Sequence, residues 1–319
     1  MKKIVLLLIA VMMFILGGCN SAKEVDDFSK VDKIFNDLSS YSLTADMTIY
    51  KSEKEIKASI AVDYLKPSYY KVVFSTSNGH EQIIVKNTDG VYVLTPSLNK
   101  QFKFDSEWPL NGSHGYLIDA LWKDIKKDTS MTYQVTDDLI TITAKTNSTK
   151  FSKVVLTYNV KDSKPVKVEM KDSEDKLKVL ISFKTFNLNP NLSSTMFNSN
   201  LIMDNNSNVG DGAQQESTTA ITVGYVIDDT KLQSQKVTDD CTILCYGGVK
   251  NYTIIAKKIE IADDVLVSSI TDYEILDLGL VLYSDNVSRY YVNDIEISLY
   301  SQDLSIDEVS LILSEIVTV

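Results

Sequence analysis

Arginine is nearly missing from this chain: Arg289 stands alone against 31 lysines in 319 residues. Histidine is scarce too, limited to His80 and His114. Neither has a Glu or Cys spaced as a metal or nucleophile partner, so both are read as exposed loop residues. The motifs GxSxG, HExxH, GxGxxG and GxxxxGK[ST] are all absent. Two loose SxxK matches, Ser97 to Lys100 and Ser173 to Lys176, fall in turns and lack the companion KTG. No nucleophile–base set remains, and an enzyme is not expected. No cofactor is called for either.

Cysteine is limited to Cys19, Cys241 and Cys245. The last two lie four apart in CTILC. On a strand their Cα atoms would be about 13 Å apart, beyond the disulfide reach of about 7 Å. A bond there requires a turn or helix; two free, buried thiols on one strand face fit a strand. The spacing is not CxxC, so zinc is not expected. The pairs Asp228-Asp229, Asp239-Asp240 and Asp263-Asp264 lack an EF-hand layout and read as solvated turns.

A long apolar run is also lacking. The run from Ile4 to Leu16 has 13 residues, against about 20 for a membrane span. Behind Lys2-Lys3 and before small residues, it has the form of a secretion signal. Leu16-Gly17-Gly18-Cys19 resembles a bacterial lipobox. That resemblance implies cleavage before Cys19, lipidation of its thiol, and a mature protein held on the outer face of a cytoplasmic membrane by acyl chains such as palmitate. The rare arginine, with abundant Asn, Ile and Ser, suggests an AT-rich, low-GC bacterial genome.

Charge divides the chain. Residues 20–202 carry 24 Lys against 23 acidic residues; residues 203–319 carry five Lys and one Arg against 20. That shift places a boundary near residue 203 and argues against nucleic acid as a partner of the second part. An acidic surface serves solubility or a basic partner.

What is abundant is strand signal. From Tyr41 to Phe104, runs at 43–50, 55–64, 69–76, 81–87, 91–95 and 100–104 are joined by short turns. Thr88-Asp89-Gly90 is a strong hairpin signal. Ile56, Ala58, Ile60, Val62 and Tyr64 alternate with polar or small residues at period two. Before this meander, Phe28, Val31, Ile34, Phe35 and Leu38 have helical spacing, with Ser29 as candidate N-cap and a polar tether at 20–27. After it, Ser113 to Lys127 reads as a helix, followed by strands at 131–136, 139–145, 151–159, 165–171 and 177–186. So many strands in one sheet are expected to curl into an open half-barrel, with helices in its mouth. The fold class is mainly β with α: a curled antiparallel sheet with a helical lid, plus a smaller C-terminal α+β module.

The N-terminal helix, the meander with Lys66-Pro67 after its second strand, the Asp89-Gly90-Val91-Tyr92-Val93 turn, the helical insertion and the later strands resemble the LolA/LolB/RseB superfamily of envelope proteins. With the lipobox, the chain is similar to the spore germination lipoprotein GerS group. The resemblance covers residues 28–198. It implies a sheet whose concave face and helical lid enclose an apolar cavity, with Leu117, Ile118, Leu121 and Trp122 as candidate lid or cavity residues. It also implies two roles. One is binding a protein partner, of the cell-wall amidase class, in sporulation or germination; the alternative is carrying or sensing lipid or lipoprotein acyl chains. The key Arg of carriers in this superfamily has no counterpart before Arg289.

The expected order is signal and lipobox at 1–19, tether at 20–27, half-barrel domain at 28–202, linker at 203–218 and acidic C-terminal domain at 219–319. Leu192, Met196 and Phe197 are candidates to dock back on the first domain. In the last domain, strands are expected at 220–227, 241–246, 252–261, 278–284, 289–293 and 295–300. A closing helix over 303–316 is capped by Asp303 or Ser305.

Overall fold

The structure is a computed structural model and describes residues 19–51, 55–76, 81–96, 100–104, 108, 114–146, 148, 151–206, 219–258, 266–268, 272–276, 279–284, 286–292 and 295–318. The expected signal peptide, His80, Asp263-Asp264 and most of the linker lie outside them. The fold is mainly β with α, as expected. Its antiparallel sheet is not closed into a barrel, and a smaller sheet forms from the C-terminal strands. Two compact units interleave along the sequence: residues 1–50 with 109–189, and residues 51–108 with 190–319. Compactness follows which strands pair, whereas the charge step at residue 203 is a property of the sequence alone.

The first unit holds helix α1 (Cys19–Asp37), strand β1 (Ser40–Tyr50), helix α2 (Ile118–Ile125) and strands β7 (Thr132–Thr136), β8 (Leu139–Lys145), β9 (Lys153–Asn159), β10 (Lys164–Lys171) and β11 (Leu177–Leu188). Its strand order is β1-β11-β10-β9-β8-β7, antiparallel throughout. Strand β8 shows why: Ile140, Ile142 and Ala144 are buried and alternate with outward residues, the period-two pattern of a sheet with one covered face. Helix α1 begins nine residues before the periodic apolar stripe, so the segment read as a tether is helical and Ser29 lies inside the helix rather than capping it. Ala22, Lys23 and Glu24 are good helix formers and carry the helix through a stretch with no apolar pattern.

The second unit contains β2 (Glu55–Leu65), β3 (Tyr69–Thr76), β4 (Glu81–Asn87), β5 (Gly90–Thr95) and β6 (Lys100–Phe104) as an antiparallel meander. At the β4–β5 turn, the Asn87 side chain accepts a bond from the Asp89 amide at 2.8 Å, and Gly90 takes a positive φ of 142°. That conformation is open to glycine and costly for other residues. A 3-10 turn at Ser194–Phe197 and helix α3 (Ser199–Asn206) follow. Helix α3 takes in residues 203–206, and Met203 is buried, so chain read as linker is here folded.

The C-terminal strands are β12 (Ile221–Val223), β13 (Thr230–Val237), β14 (Cys241–Gly248), β15 (Tyr252–Lys258), β16 (Leu266–Ser268), β17 (Asp272–Leu276), β18 (Gly279–Ser284), β19 (Val287–Val292), β20 (Ile295–Tyr300) and β21 (Ile316–Thr318). Seven of them form an antiparallel sheet in the order β13-β14-β15-β20-β19-β18-β17; β12 pairs with β21, and β16 runs parallel to β6. Helix α4 (Ile306–Ser314) is opened by a capping box. Ser305 Oγ accepts from the Glu308 amide at 3.3 Å, and the Glu308 carboxylate accepts from the Ser305 amide at 2.8 Å. Of the two candidate caps, Ser305 is the one used.

Candidate functional site

The four expected lid residues are brought together at α2 in the first unit, Leu117 as its N-cap residue and the other three within it. Leu117, Ile118, Leu121 and Trp122 are 0–3% exposed. Trp122 stacks on Phe35 of α1 with ring centroids 4.8 Å apart, and its Nε1 donates to Asp32 Oδ1 at 3.2 Å. Phe28 stacks on Tyr133 at 4.7 Å. Two carboxylates tie the helices down. Asp32 also meets Lys126 at 3.0 Å, while buried Asp119 accepts from the Tyr41 hydroxyl at 3.0 Å and meets Lys123 at 3.3 Å. The buried Asp119 is thus partnered, as a low-dielectric interior requires. The chain leading into α2 sits directly on the sheet. A Cβ on Gly115 would lie 2.9 Å from Val168 Cγ1, 3.0 Å from Ile181 Cδ1 and 3.1 Å from Met170 Sδ. These residues fill their space with one another.

His114 departs from expectation. It is 9% exposed, and its Nδ1 lies 3.2 Å from the Tyr116 hydroxyl. It sits on the tight approach to α2, where Gly115 brings the backbone down on the sheet, so it is buried with that segment. Cys241 and Cys245 are free thiols on β14, as the strand reading requires. They are only half-buried, because they share the face opposite the buried Thr242, Leu244 and Tyr246. Asp228, Asp229, Asp239 and Asp240 are exposed. Among the described residues no group of three or more His, Cys, Asp or Glu could hold a metal ion. No described helix is long and apolar enough to cross a membrane.

An open cleft lies in the second unit. It has a volume of about 490 Å³ and is lined by Lys71 and Val73 of β3, Glu81 and Ile83 of β4, Thr195 and Met196 of the 3-10 turn, and Leu201, Ile202 and Asn205 of α3. That size is within the range of small-ligand and peptide-side-chain sites. Its construction starts in the strands. In β4 and β5, Ile83-Ile84-Val85 and Val91-Tyr92-Val93-Leu94 are buried without alternation, so both faces of these strands are covered. Ile83, Val85, Tyr92 and Leu94 form one face and receive Phe197 and Met203, with Leu65, Tyr69, Val73, Leu192 and Ile202 around them.

Polar bonds hold this cover in place. Asn87 Nδ2 donates to the Phe197 carbonyl at 3.0 Å, and Gln101 Nε2 donates to Asn200 Oδ1 at 3.1 Å. Asn198 caps α3 by accepting from the Leu201 amide at 3.0 Å. Lys71 is neutralised by Asp63 at 2.8 Å, leaving exposed Glu81 at the rim. Beside it, Met196 is 41% and Leu201 49% exposed. Of the residues expected to dock back, Leu192 and Phe197 do so, while Met196 faces outward. Thr195, Leu201, Ile202 and Asn205 carry no motif. The signal in the sequence that could have revealed this cover is the unbroken apolar run of β4 and β5, which demands something on each face.

Comparison with known proteins places these features in context. Residues 1–197 match the family described as Sporulation protein YdcC-like. The chain is 30% identical over 322 residues to Sporulation protein YdcC of Bacillus subtilis (strain 168), covering 96% of this chain and 94% of that protein. Among solved structures it is similar to a LolA superfamily protein from Nitrosomonas europaea, at 13% identity over 55% of this chain and 97% of that one, with a TM-score of 0.33. It is also similar to a chain in the structure of the CwlD amidase from Clostridioides difficile in complex with the GerS lipoprotein, at 18% identity over 50% of this chain and 92% of that one, with a TM-score of 0.24. A LolA superfamily protein and a GerS-containing complex are thus both among these neighbours.

Proposed function

The chain belongs to the Sporulation protein YdcC-like family, and from that membership and the cleft on β3 and β4 we propose that it is a non-enzymatic envelope lipoprotein that binds a protein partner during sporulation. Cys19 carries the lipid and holds the chain on the outer face of the membrane. The partner is a cell-wall-modifying enzyme, which this chain positions or supports.

The observation that carries this reading is the cleft with its two outward apolar side chains, Met196 and Leu201. Each lies on a cover already fixed by buried Phe197 and by the Asn87 bond, so neither is needed to hold the cover down. Exposed apolar side chains on a firm scaffold, beside a concave surface, are what a protein interface uses as anchors. The carrier alternative draws less support, because Leu117, Ile118, Leu121 and Trp122 are packed against α1 and the sheet rather than lining open space.

Membrane isolation from sporulating cells tests both parts. The wild-type chain retains a partner in stoichiometric amount, and a chain with Met196→Ser and Leu201→Ser loses it while unfolding within about 0.5 kcal/mol of wild type, since both positions are exposed. Bound lipid in place of a protein would instead favour the carrier role. Cys19→Ala releases the chain from the membrane fraction; unchanged membrane association would sink the lipid anchor.

A further inference from the structure

The seven-stranded sheet of the C-terminal module carries most of its cations on one side. The module, residues 219–319, has six basic side chains against 17 acidic ones. Strand register assigns four of the six to a single face. Bulging at Gln233 puts Lys231, Ser234 and Lys236 of β13 beside Gly247, Cys245 and Ile243 of β14. Ile243 and Cys241 lie beside Ile255 and Lys257 of β15, which meet Ser298 and Glu296 of β20. Ser298 in turn meets Arg289 of β19. Among the described strand residues in this series, Glu296 is the single carboxylate, and it is shared between Lys257 at 3.6 Å and Arg289 at 4.0 Å. Lys231 and Lys236 are exposed and make no ion pair among the described residues.

The middle of this face is apolar and incompletely covered. Cys241, Ile243, Cys245 and Ile255 are half-buried, and Tyr300 is 42% exposed. Among the described residues, cover lies toward the other end, where Tyr291 packs on Phe102 with ring centroids 4.7 Å apart. The open end finishes in β13, the terminal strand of the sheet, in which seven of eight residues are exposed. A terminal strand offers its outer amides and carbonyls to an added strand.

We propose that the β13 edge and the adjoining face of β14 and β15 bind an extended, acidic, partly apolar segment of a protein partner. This rests on the partner-binding reading above and adds a second surface and its chemistry. Three observations select the occupant. The charge of the face is opposite to that of its own module, so it attracts acidic residues that the rest of the module repels. The half-buried Ile243 and Ile255 require apolar side chains, which a bare polyanion lacks. A second copy is disfavoured, since antiparallel pairing of β13 with itself about Gln233 and Ser234 sets Lys231 opposite Lys236, and like charges directly opposite destabilise a strand pair.

The test uses the full chain in detergent micelles and labelled eight-residue peptides, read by fluorescence anisotropy. A peptide alternating Glu and Val binds at least tenfold more tightly than its Lys/Val counterpart and at least fivefold more tightly than a Glu/Ser peptide. Added salt weakens it. Lys231→Glu with Lys236→Glu reverses the preference between the Glu and Lys peptides; the milder Lys231→Gln with Lys236→Gln reduces it without reversal. Bound peptide slows amide exchange across residues 231–237. Equal binding of Glu/Val and Lys/Val peptides overturns the proposal, as does an unchanged preference in both double variants. Competition by inorganic polyphosphate as effective as by the Glu/Val peptide overturns it in favour of a general anion surface. Self-association of the chain, abolished by the same variants, overturns it in favour of a second copy. If no peptide binds while the wild-type chain still retains its stoichiometric partner, this surface fails and the partner reading stands; if no partner is retained at all, that reading fails and takes this proposal with it.

Discussion

Two regions of the molecule cover strand faces in different ways. In the first unit, α1 and α2 cover the sheet with interlocked rings, Phe28, Phe35, Trp122 and Tyr133, and the Asp119 carboxylate and Trp122 indole among them are bonded. In the second, a short irregular segment from Leu192 to Asn206 covers β3 to β5. It buries Phe197 and Met203 and leaves Met196 and Leu201 outside. The difference is one of side-chain volume and chain geometry. Two amphipathic helices present continuous apolar stripes and close their space. One turn of 3-10 helix and two turns of α-helix cannot, and a cleft of about 490 Å³ remains beside them. The closed cover gives stability, and the partial one gives a surface that can be used.

Substitutions sharpen this contrast. The largest effect is expected from Trp122→Ala, which empties a fully packed site and leaves Asp32 without its indole donor. Loss of about 3–5 kcal/mol is expected in denaturant unfolding. A loss near 1 kcal/mol would break the comparison by showing the helical cover to be loose. Phe197→Ala comes next, at about 3 kcal/mol. Because the cover in the second unit depends on that ring, partner retention falls in step with stability, unlike the Met196/Leu201 double variant, where retention falls alone. Parallel behaviour of the two variants would dissolve the distinction between anchor and interface. The smallest is Ser305→Ala at the start of α4, at about 1 kcal/mol.

That last effect depends on pH. Hydrogen bonds from the Ser305 backbone, then from its side chain and from Lys250, hold the Glu308 carboxyl below the ordinary value of 4.5. A carboxylate with a depressed folded-state pKa contributes its stability in full above the unfolded value and loses it as pH falls through the folded one. The wild-type advantage over Ser305→Ala is therefore constant near neutrality and shrinks in acid. A difference that grows below pH 4.5 would contradict the capping geometry.

Much of the fold was legible in the residues. The bounds of β3, β4, β6 and β8 agree with the apolar runs to the residue, because turn chemistry at Lys66-Pro67-Ser68, Asp89-Gly90 and Asp137-Asp138 punctuates them. Strand β13 was missed, since Lys231-Leu232-Gln233-Ser234-Gln235-Lys236 is polar on both faces, as an exposed edge strand is. Periodicity reports burial, and a strand that buries nothing gives no period. For the same reason the first two turns of α1 were read as tether. His114 carried no sign of burial; the tight approach around Gly115 put it there.

The sequence by itself determined most of the strands along the chain, the hairpins and the helices with an apolar stripe, because each rests on neighbours within a few residues. Only the tertiary structure decided that the α2 residues are packed, that Leu192 to Asn206 forms a cleft with β3 and β4, and that four distant cations share one sheet face. Those outcomes depend on register between strands far apart in the chain, and a one-residue slip would send each side chain to the opposite face.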